Sequence, residues 1–142
     1  SSPPTVRPRA GGDRAGMSQG EAEIDLSDVP PHLRRAVGAA LHAAGVSEGH
    51  VGMEVVGKGR MRTLNYAARG VDEATDVLAF PIDEGPDRVG PRELGDVFIC
   101  PEKATDETEA AVHGTLHLCG FDHETDDGEM LALQAKIMAS LE

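Results

Sequence analysis

Tryptophan is absent from this chain, and its other aromatics are one tyrosine and three phenylalanines. A surface that reads single-stranded bases by stacking alone needs more rings than that on one face. Cysteine is scarce too: Cys100 and Cys119 are too few for a disulfide framework in 142 residues. No positively charged stretch followed by an apolar run opens the chain, which predicts no secretory signal, reduced thiols and a cytoplasmic location. The apolar runs are short, Ala36–Leu41 being broken by Gly38, and fall far below the ~20 residues of a membrane span. Positive charge is also in deficit. Thirteen Lys and Arg stand against 25 Asp and Glu, a net charge of −12. Binding of nucleic acid through bulk charge is thereby excluded, no DNA partner is expected, and any anionic polymer must meet a local patch or a metal.

What remains suits one globular core: 39% hydrophobic and 27% charged residues in a chain of single-domain length. Residues 1–16, SSPPTVRPRAGGDRAG, hold Val6 as their only large aliphatic. Such a segment cannot bury apolar surface and is expected to be disordered, a natural extension or a remnant of cloning before Met17. Its three arginines against Asp13 contribute +2, so residues 17–142, the expected single domain, carry −14.

Period-two alternation predicts strands at Ala22–Leu26, around Val51, Met53 and Val55, at Thr75–Phe80 and at Leu94–Cys100. Helical spacing of Leu33, Val37, Leu41 and Ala44 follows Pro30 and Pro31 and ends at Gly45. A second helix is expected over Lys58–Arg69, with Met61, Leu64 and Ala68 inward. Residues 81–93, with two prolines and two glycines after Pro81, read as an exposed loop. Glu102–Cys119 and Asp126–Leu141 complete the helices, the last with Asp126 as its cap and a stripe of Met130, Leu133, Ile137 and Leu141. Strands and helices mix without βαβ regularity, so the expected class is α+β, a small mixed four-stranded sheet with four to five helices.

The chemistry concentrates in His113–His123, HGTLHLCGFDH. At about 100° per residue, His113 and His117 lie about 40° apart on one helix face, so both imidazoles can reach one ion. Gly120 can take a positive φ, end the helix and return His123 toward the same point. Three neutral imidazoles leave a zinc ion its full charge and a fourth position for water, the catalytic arrangement. Val112, Leu116 and Cys119 fall on the other side of the wheel, which places Cys119 in the core as a small hydrophobe. Cys100 reads as structural, and His32, His42 and His50 have no comparable partners.

This spacing resembles the H-E-x-x-H-x-x-G-x-x-H motif of metzincin proteases, with Gly114 where they carry a glutamate base. Without that proton acceptor a zincin-like helix remains, but peptide hydrolysis by their route is disfavoured. HGTLHLCGFDH, preceded by LNYAARGVDEATDVLAFP (Leu64–Pro81) and LGDVFIC (Leu94–Cys100), resembles the YbeY family of bacterial endoribonucleases. The likeness runs from Met17 to Glu142. It implies a zinc-dependent enzyme with one Zn2+ per chain that cleaves single-stranded RNA. It further implies a role in 16S ribosomal RNA 3′-end maturation, ribosome quality control and small-subunit assembly. By position, His113, His117 and His123 are the implied zinc ligands, and Arg69, with His113, is implied to carry the reaction. The likeness departs at one place: family members hold about a dozen more residues between LGDVFIC and the first histidine.

The charge map fits an RNA substrate. Lys58, Arg60, Arg62 and Arg69 fall in a twelve-residue window without an acid, although a solvated helix face accounts equally well for the first three. Glu102–Glu129 holds nine acids and only Lys103, a field that favours a dication and repels stray polyanion. Asp122 is either an orienting partner for a ligand or a turn residue. Two rival functions share these residues: a zincin-like metallopeptidase, and a non-catalytic ribosome-assembly factor with a structural zinc.

Overall fold

The computed structural model describes residues 23–82 and 92–142; the expectations for residues 1–16 and for most of the 81–93 loop lie outside them. In chain order the elements are β1 (Ile24–Asp25), a 3-10 turn (Pro31–Leu33), α1 (Arg34–Ala43), β2 (Gly49–Val55) and α2 (Lys58–Arg69). There follow β3 (Val77–Pro81), β4 (Glu93–Ile99), α3 (Glu107–Leu118) and α4 (Glu129–Leu141). The strands form one sheet in the order β1-β2-β4-β3, with β1, β2 and β4 parallel and β3 antiparallel to β4. The expected α+β class with a mixed four-stranded sheet is what the chain adopts.

Alternation along the strands separates two faces. Val51 and Met53 of β2, Val77 and Ala79 of β3, and Val97 and Ile99 of β4 join Val37 and Leu41 of α1 and Ala111 and Leu118 of α3 in one cluster. A second cluster binds the helices of that layer together, with Ala36 and Ala40 of α1, Val112 and Leu116 of α3, and Met130 and Ile137 of α4. The residues between them in sequence, Leu78, Phe80 and Phe98, turn to the other face, where Met61 and Leu64 of α2 cover them. Phe80 and Phe98 meet edge to face there, with ring centroids 5.7 Å apart. α3 is thus held on the sheet by one side and against α1 and α4 by another, which fixes it in both directions.

Several boundaries differ from the sequence expectation. α3 starts at Glu107, not Glu102, because Lys103 N and Ala104 N turn back onto Cys100 O. Asp106 then caps the helix by accepting from Glu109 N at 3.1 Å. α4 starts at Glu129, yet Asp126 still serves it, accepting from Met130 N at 3.0 Å from outside the helix. β1 covers only Ile24–Asp25, and β3 extends through Pro81, which an edge strand tolerates. On α2, Met61 and Leu64 face inward as expected and Asn65 is buried beside them, while Ala68 is exposed. Asn65 wins that position because its Nδ2 donates to Glu73 O at 2.9 Å and ties down the chain beyond the helix. Val55 is exposed at the end of β2, unlike Val51 and Met53.

His50 has a structural role. Its Nδ1 lies 2.8 Å from Glu93 Oε1 and its Nε2 lies 2.6 Å from Asp28 Oδ2, so the ring bridges β2, β4 and the chain after β1. Burial opposes the charged ring, but the hydrogen bonds to Glu93 and Asp28 outweigh it and raise the pKa above the usual 6.5. A raised folded-state value means that this stabilisation is complete below the unfolded pKa of about 6.5 and fades as pH rises through the folded one. Melting curves across that window are expected to show wild type losing up to about 1 kcal/mol relative to His50→Gln, the ceiling set by partial solvation. A constant gap between the two proteins from pH 5 to 9 would refute the bridge.

Candidate metal centre

The site is built on the solvent-facing strip of α3. That helix lies flat on the sheet because position 114 has no side chain: a Cβ there would stand 2.6 Å from Val97 Cγ1 and 3.1 Å from Val77 Cγ2. His113 and His117 lie on the side left free and remain half-buried. The helix ends in a Schellman cap, with Phe121 N donating to Leu116 O at 3.1 Å and Gly120 N to His117 O at 3.0 Å. Gly120 takes φ 101°, as the sequence expectation requires. Phe121 packs on the cluster containing Leu116, which anchors the returning chain. Asp122 holds the turn, its Oδ1 accepting from Glu124 N and its carbonyl from Thr125 N and Asp126 N. Of the two roles open to Asp122, the turn is the one its hydrogen bonds serve.

The result is convergence of the three rings. Their centroids lie 4.8 Å (His113–His117), 5.1 Å (His113–His123) and 5.4 Å (His117–His123) apart. One nitrogen from each lies within 4.8 Å of the others. His113 Nε2 and His117 Nε2 are 3.2 Å apart. Two nitrogens each ~2.0–2.1 Å from a shared tetrahedral ion would stand about 3.3 Å apart, so the pair fits a metal.

Hydrogen bonding at the outer edge agrees. His113 Nδ1 is 2.7 Å from Gln134 Oε1 of α4; an amide oxygen only accepts, so Nδ1 carries the proton and Nε2 offers its lone pair inward. Burial is the largest influence on the His117 pKa and, with the neighbouring His113, holds it below the usual 6.5, which keeps the ring in the neutral form that binds metal. The Phe121 main chain lies beside the His117 ring and favours its charged form, but it is outweighed. His123 Nδ1 is buried without a hydrogen-bond partner among the described residues. A nitrogen pair at the spacing of two ligands on one ion, beside a third nitrogen that is buried without a partner, is a donor set that suits a cation.

Cys119 does not join the group. It is half-buried against the sheet-side cluster, and not beside Val112 and Leu116 as the helical wheel suggested, because the chain has already left helical geometry there. Burial pushes its thiol up to about 11. Cys100, read as structural, is fully buried.

The family model described as Endoribonuclease YbeY matches residues 16–142. The chain belongs to the YbeY family. An Endoribonuclease YbeY of Acinetobacter baylyi is 36% identical over 145 residues, covering 88% of this chain and 91% of that protein. One of Azorhizobium caulinodans is 42% identical over 133 residues, covering 82% and 84%. A solution structure of a Thermotoga maritima protein is 27% identical, with a TM-score of 0.47, covering 80% of this chain and 83% of that one. Because 88% of 142 residues is about 125, the Acinetobacter YbeY fills about 20 aligned positions that this chain does not.

The other residues of the YbeY-like motifs divide by role. Arg69 closes α2, exposed, and makes no ion pair among the described residues. Arg62 and Asp72 are spent on each other, with contacts of 2.6 and 2.9 Å, and Asn65 holds Glu73. These pin the chain that leads from Arg69 to Val77, the residue under Gly114. Arg60 pairs with Glu54 at 3.4 Å and lies 5.8 Å from the centre of the Phe98 ring. The four-cation window thus reduces to two side chains, Lys58 and Arg69, that make no ion pair among the described residues, and the Lys58 main-chain N–H donates to Glu102 Oε1 at 3.2 Å. Gln134 was missed in sequence, although it stands four residues after Met130 and three before Ile137, a polar residue on the apolar stripe.

Proposed function

We propose that residues 17–142 are a zinc-dependent, single-strand-specific endoribonuclease domain that acts on 16S ribosomal RNA, in 3′-end maturation, ribosome quality control and small-subunit assembly. The observation that carries the reading is the convergence of His113, His117 and His123 with the outer nitrogen of His113 already engaged by Gln134. Membership of an endoribonuclease family supports an RNA substrate; the reading adds a cytoplasmic setting and the small ribosomal subunit as partner.

His113, His117 and His123 would hold the ion, and zinc bound there would supply a Lewis acid for hydrolysis. Arg69 binds a nonbridging phosphate oxygen of the strand by charge-assisted hydrogen bonds and steadies the charge that develops at phosphorus. Acids crowd the segment from Glu102 to Glu129, so binding of the polyanion is modest and weakens as salt rises.

Arg69→Ala tests the assignment, with zinc content, melting temperature and cleavage of single-stranded RNA read together. Cleavage is expected to fall about 10²–10³-fold while the other two stay put. Arg69→Lys, which keeps the charge but loses the planar fork, is expected to recover little. Cleavage surviving in Arg69→Ala would remove the role, and absence of cleavage in wild type would favour the assembly factor with a structural zinc.

A further inference from the structure

We propose that Gln134 is the positioning residue of this centre: it fixes which nitrogen of His113 faces the metal and does so without adding charge. The inference rests on the metal reading above. A neutral imidazole can carry its proton on either nitrogen, and only the form protonated at Nδ1 offers Nε2 to the point shared with His117. The Gln134 Oε1 contact of 2.7 Å selects that form.

The fold holds Gln134 firmly in place. Met130 and Ile137, on either side of it, are buried against Val112 and Leu116, the residues that flank His113 on α3. Arg35 of α1 donates to Leu141 O at 3.0 Å and secures the far end of α4. The amide therefore meets the ring from a helix locked at both ends.

Its neutrality is the second point. Nine acids lie between Glu102 and Glu129, yet no carboxylate of the described residues hydrogen-bonds any of the three rings. A carboxylate at Gln134 would raise the basicity of His113, tighten the metal and reduce the positive charge left for the reaction. An amide sets the geometry and leaves that charge intact.

Gln134→Met, Gln134→Asn and Gln134→Glu in the full chain separate these effects. Zinc affinity is measured by competition with a chromophoric chelator, and the His113 tautomer by nitrogen-15 NMR on metal-free protein. Met removes the acceptor and Asn withdraws it by one methylene, so each is expected to lose about 10–100-fold in zinc affinity and the Nδ1–H form of His113. Glu is expected to restore the tautomer and bind zinc at least as tightly as wild type, with a lower kcat. Should Met fail to fold, Asn carries the same test. Wild-type affinity and tautomer in either variant would overturn the role of Gln134 alone, whereas a wild type that binds no zinc would overturn the metal reading together with it.

Discussion

His117→Ala is expected to abolish stoichiometric zinc binding and to lower RNA cleavage by about 10³-fold or more, the scale of losing a group on which the chemistry depends. The ring has no substitute: the nearest thiol, Cys119, is held protonated with a pKa of about 11, and no other histidine belongs to the cluster. The fold should survive, because His117 is only half-buried and sits outside both helix-facing clusters. Without metal the variant should melt close to wild type, since the half-buried ring lies outside those clusters. Added zinc should then raise the melting temperature of wild type alone. Equal stabilisation of both proteins would mean that the ion sits elsewhere.

Gly114→Glu is the second large effect, and its direction opposes a motif-based guess. The substitution restores the glutamate of the metzincin pattern, so a peptidase reading expects new proteolysis. Position 114 instead faces the sheet, where even a methyl group would stand 2.6 Å from Val97 Cγ1. A carboxylate there must push α3 off β3 and β4 and be buried without a partner, at about 4 kcal/mol or more. That is a large share of a typical domain's ~5–15 kcal/mol. Loss of soluble protein, or a fall in melting temperature of ten degrees or more, is expected, with no casein cleavage. A stable Gly114→Glu protein with proteolytic activity would reinstate the rival reading. Gly114→Ala grades the same contact, since the gain in helix propensity of about 1 kcal/mol competes with the overlap.

The histidine site was legible in sequence because its determinants are local. Two of the histidines sit one turn apart on a helix, and the third follows a glycine whose positive φ closes a Schellman cap, so no long-range contact is needed to bring them together. The strands were legible for the same reason, through alternation. What sequence could not give came from contacts across the fold. Gln134 reaches His113 across 21 positions, and only the packing of α4 on α3 makes a polar residue on an apolar stripe meaningful. The charge window on α2 looked like four available cations because Glu54 lies on a strand and Asp72 beyond the helix, outside the window itself. Ala68, expected inward, is exposed, and Asn65 is buried because a main-chain carbonyl at Glu73 satisfies its amide. Helix starts were missed where side chains cap from outside the helix, as Asp126 does for Met130.

The most direct test is X-ray absorption at the zinc edge combined with metal quantitation on the purified chain. One zinc per chain is expected, with three imidazole nitrogens and one oxygen at ~2.0–2.1 Å, and with that signal gone in His117→Ala. A zinc content well below one per chain, a sulfur neighbour, or four nitrogens with no solvent position would contradict a hydrolytic centre on His113, His117 and His123.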